Sequence, residues 1–315
     1  MREAKKINPD IKSSGSSDEM VFEHLREAIQ GGGELADAAV DMLVDSEESG
    51  QQHIFLHKPK SEDVRAATSD AESIASRLFG ADWRTQTGFP LVLARPRNER
   101  WADFRIGPTG TMGSGWTAKL YSGKLRWESQ GKTPTDDETQ IEVWKHRLSR
   151  DIKLVRWHAD GMLELRVPQE TKRNDLLESV SSLWTAVGAG LNETDFEPFN
   201  LNPACMKLIE NHQDYGEMCR LGDARVQDEQ RGSAKFAPPS GRDHLMSDVT
   251  REQAIRLYRL CNELVVTWYL DREAHGAQGE LRTAVGKYGA NNIHVRAKTT
   301  GKAIQHVTDQ LRRLG

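Results

Sequence analysis

The sequence predicts an α+β fold, a central antiparallel sheet flanked by helices with a helical region at its N-terminal side. Two observations lead there. Toward both ends of the chain apolar residues recur at three- and four-residue spacing, as in Val64, Ala67, Ala71, Ile74 and Leu78. Between them, short apolar runs alternate with polar residues and are broken by glycine-bearing turns. The chain divides accordingly into a tail (1–17), a helical region with one strand (18–85), a Trp- and Arg-rich β region (86–170) and a C-terminal α+β region (171–315).

Taken in order, Ser16 and Glu19 form a capping box ahead of Phe22, Leu25, Ala28 and Ile29, and Gly31-Gly32-Gly33 ends that helix. A second helix carries Leu35, Ala38, Ala39 and Met42. Its acidic end, Asp45 to Glu48, opposes the negative end of the helix dipole, so the helix is expected to fray there. Residues 51–57 read as a strand. Ser61 caps a single helix that runs to Gly80.

In the β region, residues 90–94 and 101–106 read as strands. Ser122-Gly123 reads as a two-residue turn joining 116–121 to 124–129. Residues 141–148 fit either a helix or a strand. Ala159-Asp160-Gly161 closes a hairpin between 152–158 and 162–167. Further on, Asn174 caps a helix that Gly188 and Gly190 stop, and Asn202-Pro203 starts another. Residues 218–226 read as a strand pair and 228–246 as a polar loop. Thr250 and Gln253 open what reads as the longest helix, carrying Ile255, Tyr258, Cys261, Leu264, Val265, Trp268 and Tyr269 to about 272. With the 174–190 helix it is expected to cover one sheet face. A loop, a strand at 293–295 and a helix with Ala303, Val307 and Leu311 complete the chain.

The composition excludes more than it identifies. No apolar run approaches the ~18 residues of a membrane span, and the first residues lack a signal-peptide core. Cys205, Cys219 and Cys261 form no C-x-x-C pair, so buried reduced thiols in a cytoplasmic protein are expected, with neither a zinc cluster nor a disulfide framework. His53 and His57 share one face of a strand without further ligands, which reads as edge-strand histidine rather than a metal site. No metal or cofactor is expected.

Charge is the informative signal. The net charge is −4, but residues 91–173 hold 16 Lys and Arg against 11 Asp and Glu, a net of +5, between flanks of −7 and −2. Five of the eight tryptophans lie there: Trp101, Trp116, Trp127, Trp144 and Trp157. Strand alternation can put aromatics on one face and cations on the other. That arrangement points to DNA or RNA held by its phosphates, through Arg95, Arg97, Arg105, Lys119, Lys124, Arg126 and Arg156. The glycine-dense stretch holding Gly110, Gly113 and Gly115 is the expected loop contact; it matches neither a P-loop nor a dinucleotide fingerprint. Two other readings stand beside this one. The acidic N-terminal helices and exposed tryptophans suit an assembly or adaptor subunit with a protein partner. Asp103, Asp151 and Lys153 superficially match the two-carboxylate-plus-lysine set of a Mg-dependent nuclease or other hydrolase.

Overall fold

The computed structural model describes residues 32–86, 98–108, 114–134, 140–170, 172–228, 230, 232–240 and 243–315. The helix expected between the Ser16 capping box and Gly31, the strand expected at 90–94, Arg95, Arg97, Gly110 and Gly113 lie outside them. Eleven strands form one antiparallel sheet, joined by helices on both faces, an α+β architecture.

The strands are β1 (Gln52–Pro59), β2 (Arg100–Pro108), β3 (Ser114–Pro134), β4 (Gln140–Trp157), β5 (Leu163–Pro168), β6 (Phe196–Pro198), β7 (Cys219–Asp228), β8 (Gly232–Phe236), β9 (Leu260–Leu270), β10 (Gly279–Val285) and β11 (Asn292–Val295). Their order is β2-β3-β4-β5-β1-β11-β10-β9-β7-β8, and β6 pairs with the far end of β1. β1 is therefore interior, with β5 along one edge and β11 then β6 along the other. His53 and His57 are buried in the middle of the sheet, not on its edge.

The helices are α1 (Glu34–Glu48), α2 (Glu62–Ser69), α3 (Ala71–Phe79), α4 (Trp83–Gln86), α5 (Arg173–Val187), α6 (Asn202–Glu210), α7 (Val249–Ile255), α8 (Arg272–His275) and α9 (Gly301–Leu314). Alternation along the strands builds two cores. On the back face Phe55, Trp116, Val155, Trp157, Leu163 and Leu165 pack against Ile74 and Ala75 of α3 and Leu176, Leu183 and Trp184 of α5. Trp116 and Trp157 face each other across β3 and β4 and donate to Thr68 O (2.8 Å) and Ser69 Oγ (3.1 Å), which ties the end of α2 to the sheet. On the front face Ile54, Leu264, Val266, Trp268, Leu281 and Ile293 pack against α6 and the apolar side of α9.

Several expectations change in the structure. The single helix from Ser61 is two helices, because Asp70 leaves helical geometry and its carboxylate caps Ser73. Lys172, not Asn174, precedes α5. Ser122-Gly123 is no turn: β3 runs straight through it and pairs Ser122 with Asp151 and Gly123 with Arg150 on β4. Residues 141–148 are strand. The 228–246 loop contains β8. The helix expected over 250–272 stops at Ile255, capped by Asp248, and its second half is β9. Leu264 to Trp268 are all buried, so both faces of this interior strand are covered. The helix over 34–48 does not fray at its acidic end; it is ordered through Glu48, for the reason given next.

Candidate functional site

Where β2 to β5 reach the front face, the sheet presents charge instead of an apolar surface. The register puts Asp103 beside Lys119, Arg105 beside Thr117, Thr117 beside Arg156, and Arg156 beside Glu164. The C-terminal turn of α1 seals this floor. Glu48 pairs with Arg105, with Arg156 Nη2 (2.6 Å) and with Lys119 Nζ (3.1 Å). Glu47 accepts from Lys119 Nζ (3.1 Å) and the Tyr121 hydroxyl (2.6 Å). These cations offset the unfavourable placement of acids at a helix C-terminus. Burial pushes the Glu48 carboxyl up, yet Arg156, Lys119 and Arg105 hold it below its ordinary value. In Asp103 burial prevails over Arg105 and Lys119, and its carboxyl titrates above the usual range. Arg166 bonds Glu164 and donates from Nη1 to Glu48 O (2.8 Å), while its buried Nη2 has no hydrogen-bond partner.

Between this floor and the polar flank of α9 lies a cleft of about 730 Å³, within the ~300–1,000 Å³ of typical small-molecule sites. Gly107 and Ile106 form one rim and the His275–His306 ring pair another. Asp309, on the α9 wall, accepts from Gln305 Nε2 (2.8 Å) and Arg312 Nη1 (3.2 Å).

A second feature stands apart. Beyond the sheet, β3 and β4 continue as a two-stranded ribbon, 122–134 against 140–151. Its register pairs Leu125 with Leu148, Arg126 with Arg147, Trp127 with His146, Glu128 with Lys145 and Ser129 with Trp144. Trp127 is 62% and Trp144 51% exposed, and the Trp127 and His146 rings lie 3.6 Å apart. The central tryptophans thus divide: Trp116 and Trp157 are core, Trp127 and Trp144 are surface.

The expected nucleic-acid residues divide the same way. Arg105, Lys119 and Arg156 converge on the charged floor, where Lys119 is fully buried. Lys124 and Arg126 lie on the ribbon, and Gly115 pairs with Gly107 where β2 and β3 begin their hairpin. The nuclease set is not brought together. Asp103 faces Lys119 and Arg105 on the front, whereas Lys153 faces back, donating to Glu99 Oε1 (2.5 Å) and Ser182 Oγ (2.8 Å). Asp151, two residues before Lys153 on β4, shares the back side. No group of three or more His, Cys, Asp or Glu suited to a metal occurs among the described residues.

The sequence marked Glu47 and Glu48 only as a misplaced acidic helix end and Arg166 only as one cation among many, and it gave Glu164 no role. For Glu47 and Glu48 the signal was the acidic flank beside a basic segment, whose charges the fold pairs. The chain matches no protein-family model and no curated protein.

Proposed function

We propose that the protein binds nucleic acid through the β3–β4 ribbon. The observation that carries this reading is the exposure of Trp127 and Trp144 on a ribbon whose register also pairs Arg126 with Arg147. Two-stranded ribbons fit nucleic-acid grooves, and exposed aromatics stack on unpaired bases. The stem, 122–134 with 140–151, holds six Lys and Arg against three Asp and Glu. Asp136, Asp137 and Glu138 lie between its strands in sequence, so phosphate contact belongs to the stem. Arg105, Lys119 and Arg156 play a different part in this reading: paired with carboxylates, they hold the sheet to α1. No helix among the described residues is long and apolar enough to cross a membrane, and three buried free thiols suit a reducing cytoplasm.

The test is fluorescence anisotropy with labelled single- and double-stranded DNA and RNA at low and moderate salt. Binding should weaken steeply with salt. Trp127→Ala with Trp144→Ala should weaken single-strand binding by at least ~10-fold without lowering Tm, at ~1–3 kcal/mol per stacked base. Absence of binding at low salt would overturn the reading. One observation favours an assembly surface instead: Leu125, Ile141 and Val143 are also exposed on this ribbon. A mass that rises with concentration, and is reset to monomer by the same double substitution, would select that alternative.

A further inference from the structure

We infer that the cleft between the charged floor and α9 binds a phosphomonoester on a ligand of about nucleotide size. Its lining carries five cations, Arg105, Arg156, Arg166, Lys302 and Arg313, against two carboxylates, Glu48 and Asp309. Both carboxylates are already engaged, Glu48 by three cations and Asp309 by Gln305 and Arg312. Lys302 and Arg313 have no carboxylate partner among the described residues, and both are exposed at the cleft.

Arg166, on the sheet side of the cleft, also lacks an acceptor for one of its donors. The residue is 2% exposed, lines the cleft, and leaves Nη2 unpartnered. A desolvated, unpaired guanidinium donor is costly, and a phosphate oxygen is the acceptor that matches it. The N-terminus of α9 is already occupied, since the Gly301 amide donates to Asp45 Oδ1 (2.6 Å).

The geometry also limits the size. Lys302 and Arg313 are eleven residues apart on α9, about 16 Å at helical rise. A phosphate at one end leaves room for an organic body against Ile106, Ala274 and the tilted His275–His306 pair, whose rings are 4.1 Å apart. The ester can be a free nucleotide or the 5′ end of a nucleic acid.

Isothermal titration with AMP, and with a hexanucleotide carrying a 5′-phosphate or a 5′-hydroxyl, tests the inference and separates the sources. The expected result is saturable AMP binding that Lys302→Glu with Arg313→Glu weakens at least tenfold; Lys302→Gln, which removes one charge without reversing it, should weaken it about threefold. Binding of the 5′-phosphorylated hexanucleotide over its hydroxyl form, without AMP binding, would assign the site to a nucleic-acid end. Failure of both phosphorylated probes, or unchanged affinity in the Lys302 and Arg313 variants, would overturn the inference. Trp127→Ala with Trp144→Ala should leave AMP binding unchanged, so this result stands or falls apart from the ribbon.

Discussion

Replacing Glu48 by alanine tests whether the charged floor holds the sheet to α1. Its carboxylate is shared by Arg105, Arg156 and Lys119; Lys119 is fully buried and the Arg156 side chain is 11% exposed. With the carboxylate gone, Lys119 keeps Glu47 at 3.1 Å and Asp103 at 3.8 Å. Arg156 retains only the neutral acceptors Thr117 Oγ1 (3.2 Å) and Gln305 Oε1 (3.4 Å) as hydrogen-bond partners. Breaking a buried pair from one side costs up to about 3–5 kcal/mol, and here the loss falls on Arg156, whose charge is left with neutral partners at the cleft floor. For a domain of ~150–250 residues that corresponds to a fall in Tm of roughly 6–20 °C. The assay is thermal and urea denaturation of Glu48→Ala beside Glu72→Ala, which removes an exposed ion pair with Arg84 and should cost under ~1 kcal/mol. A loss for Glu48→Ala no larger than for Glu72→Ala would show the floor to be solvated and refute the account of why α1 stays helical through its acidic end.

Acid should unfold the protein through its buried histidines. Burial, then His294 and Lys287, pull His53 down to about 3; burial pulls His57 to about 4; and burial, Arg296 and Lys287 bring His294 to about 4. The unfolded chain takes up these protons below ~6.5 while the folded chain does not, so stability falls as pH drops from 6.5 toward 4, by about 2 kcal/mol per histidine at pH 5. A urea midpoint equal at pH 7 and pH 5 would contradict this. Gly286→Ala should destabilise by on the order of 3 kcal/mol, since φ is +83° and a Cβ would lie 2.2 Å from Asn262 O; a native-like Tm would refute the placement. Cys205, Cys219 and Cys261 should react with a thiol reagent only after denaturation, being buried, with the Cys219 thiol pushed up to about 12 by burial; prompt labelling of the folded chain would count against it.

What the sequence disclosed follows from how local each signal is. The β4–β5 hairpin was legible because Gly161, at φ +89°, marks its turn, and α9 because one helix face alone is buried. β9 was not legible. Leu264, Val265 and Trp268 fit helical spacing, and in an interior strand buried on both faces the alternation that betrays a strand disappears. Ser122-Gly123 has turn composition, but pairing with residues 150 and 151 carries the strand through it. The basic, Trp-rich segment stood out as a window of charge. That window held neither Glu47 nor Glu48, whose pairing turns Arg105, Lys119 and Arg156 inward.

The interior position of β1 has a consequence for how the chain is made. Its edges are completed by residues 163–168 on one side and by 196–198 and 292–295 on the other. During synthesis this strand emerges with its β5 partner about a hundred residues behind it, yet its second neighbour along residues 52–55 follows only some 240 residues later. Until then its backbone donors and acceptors there lie open to any passing strand, and contacts this distant in sequence close slowly. A chain arrested before residue 292 would keep that edge open indefinitely, so aggregation of such nascent fragments, relieved as soon as β11 is translated, is the cost of placing an early strand at the centre of the sheet.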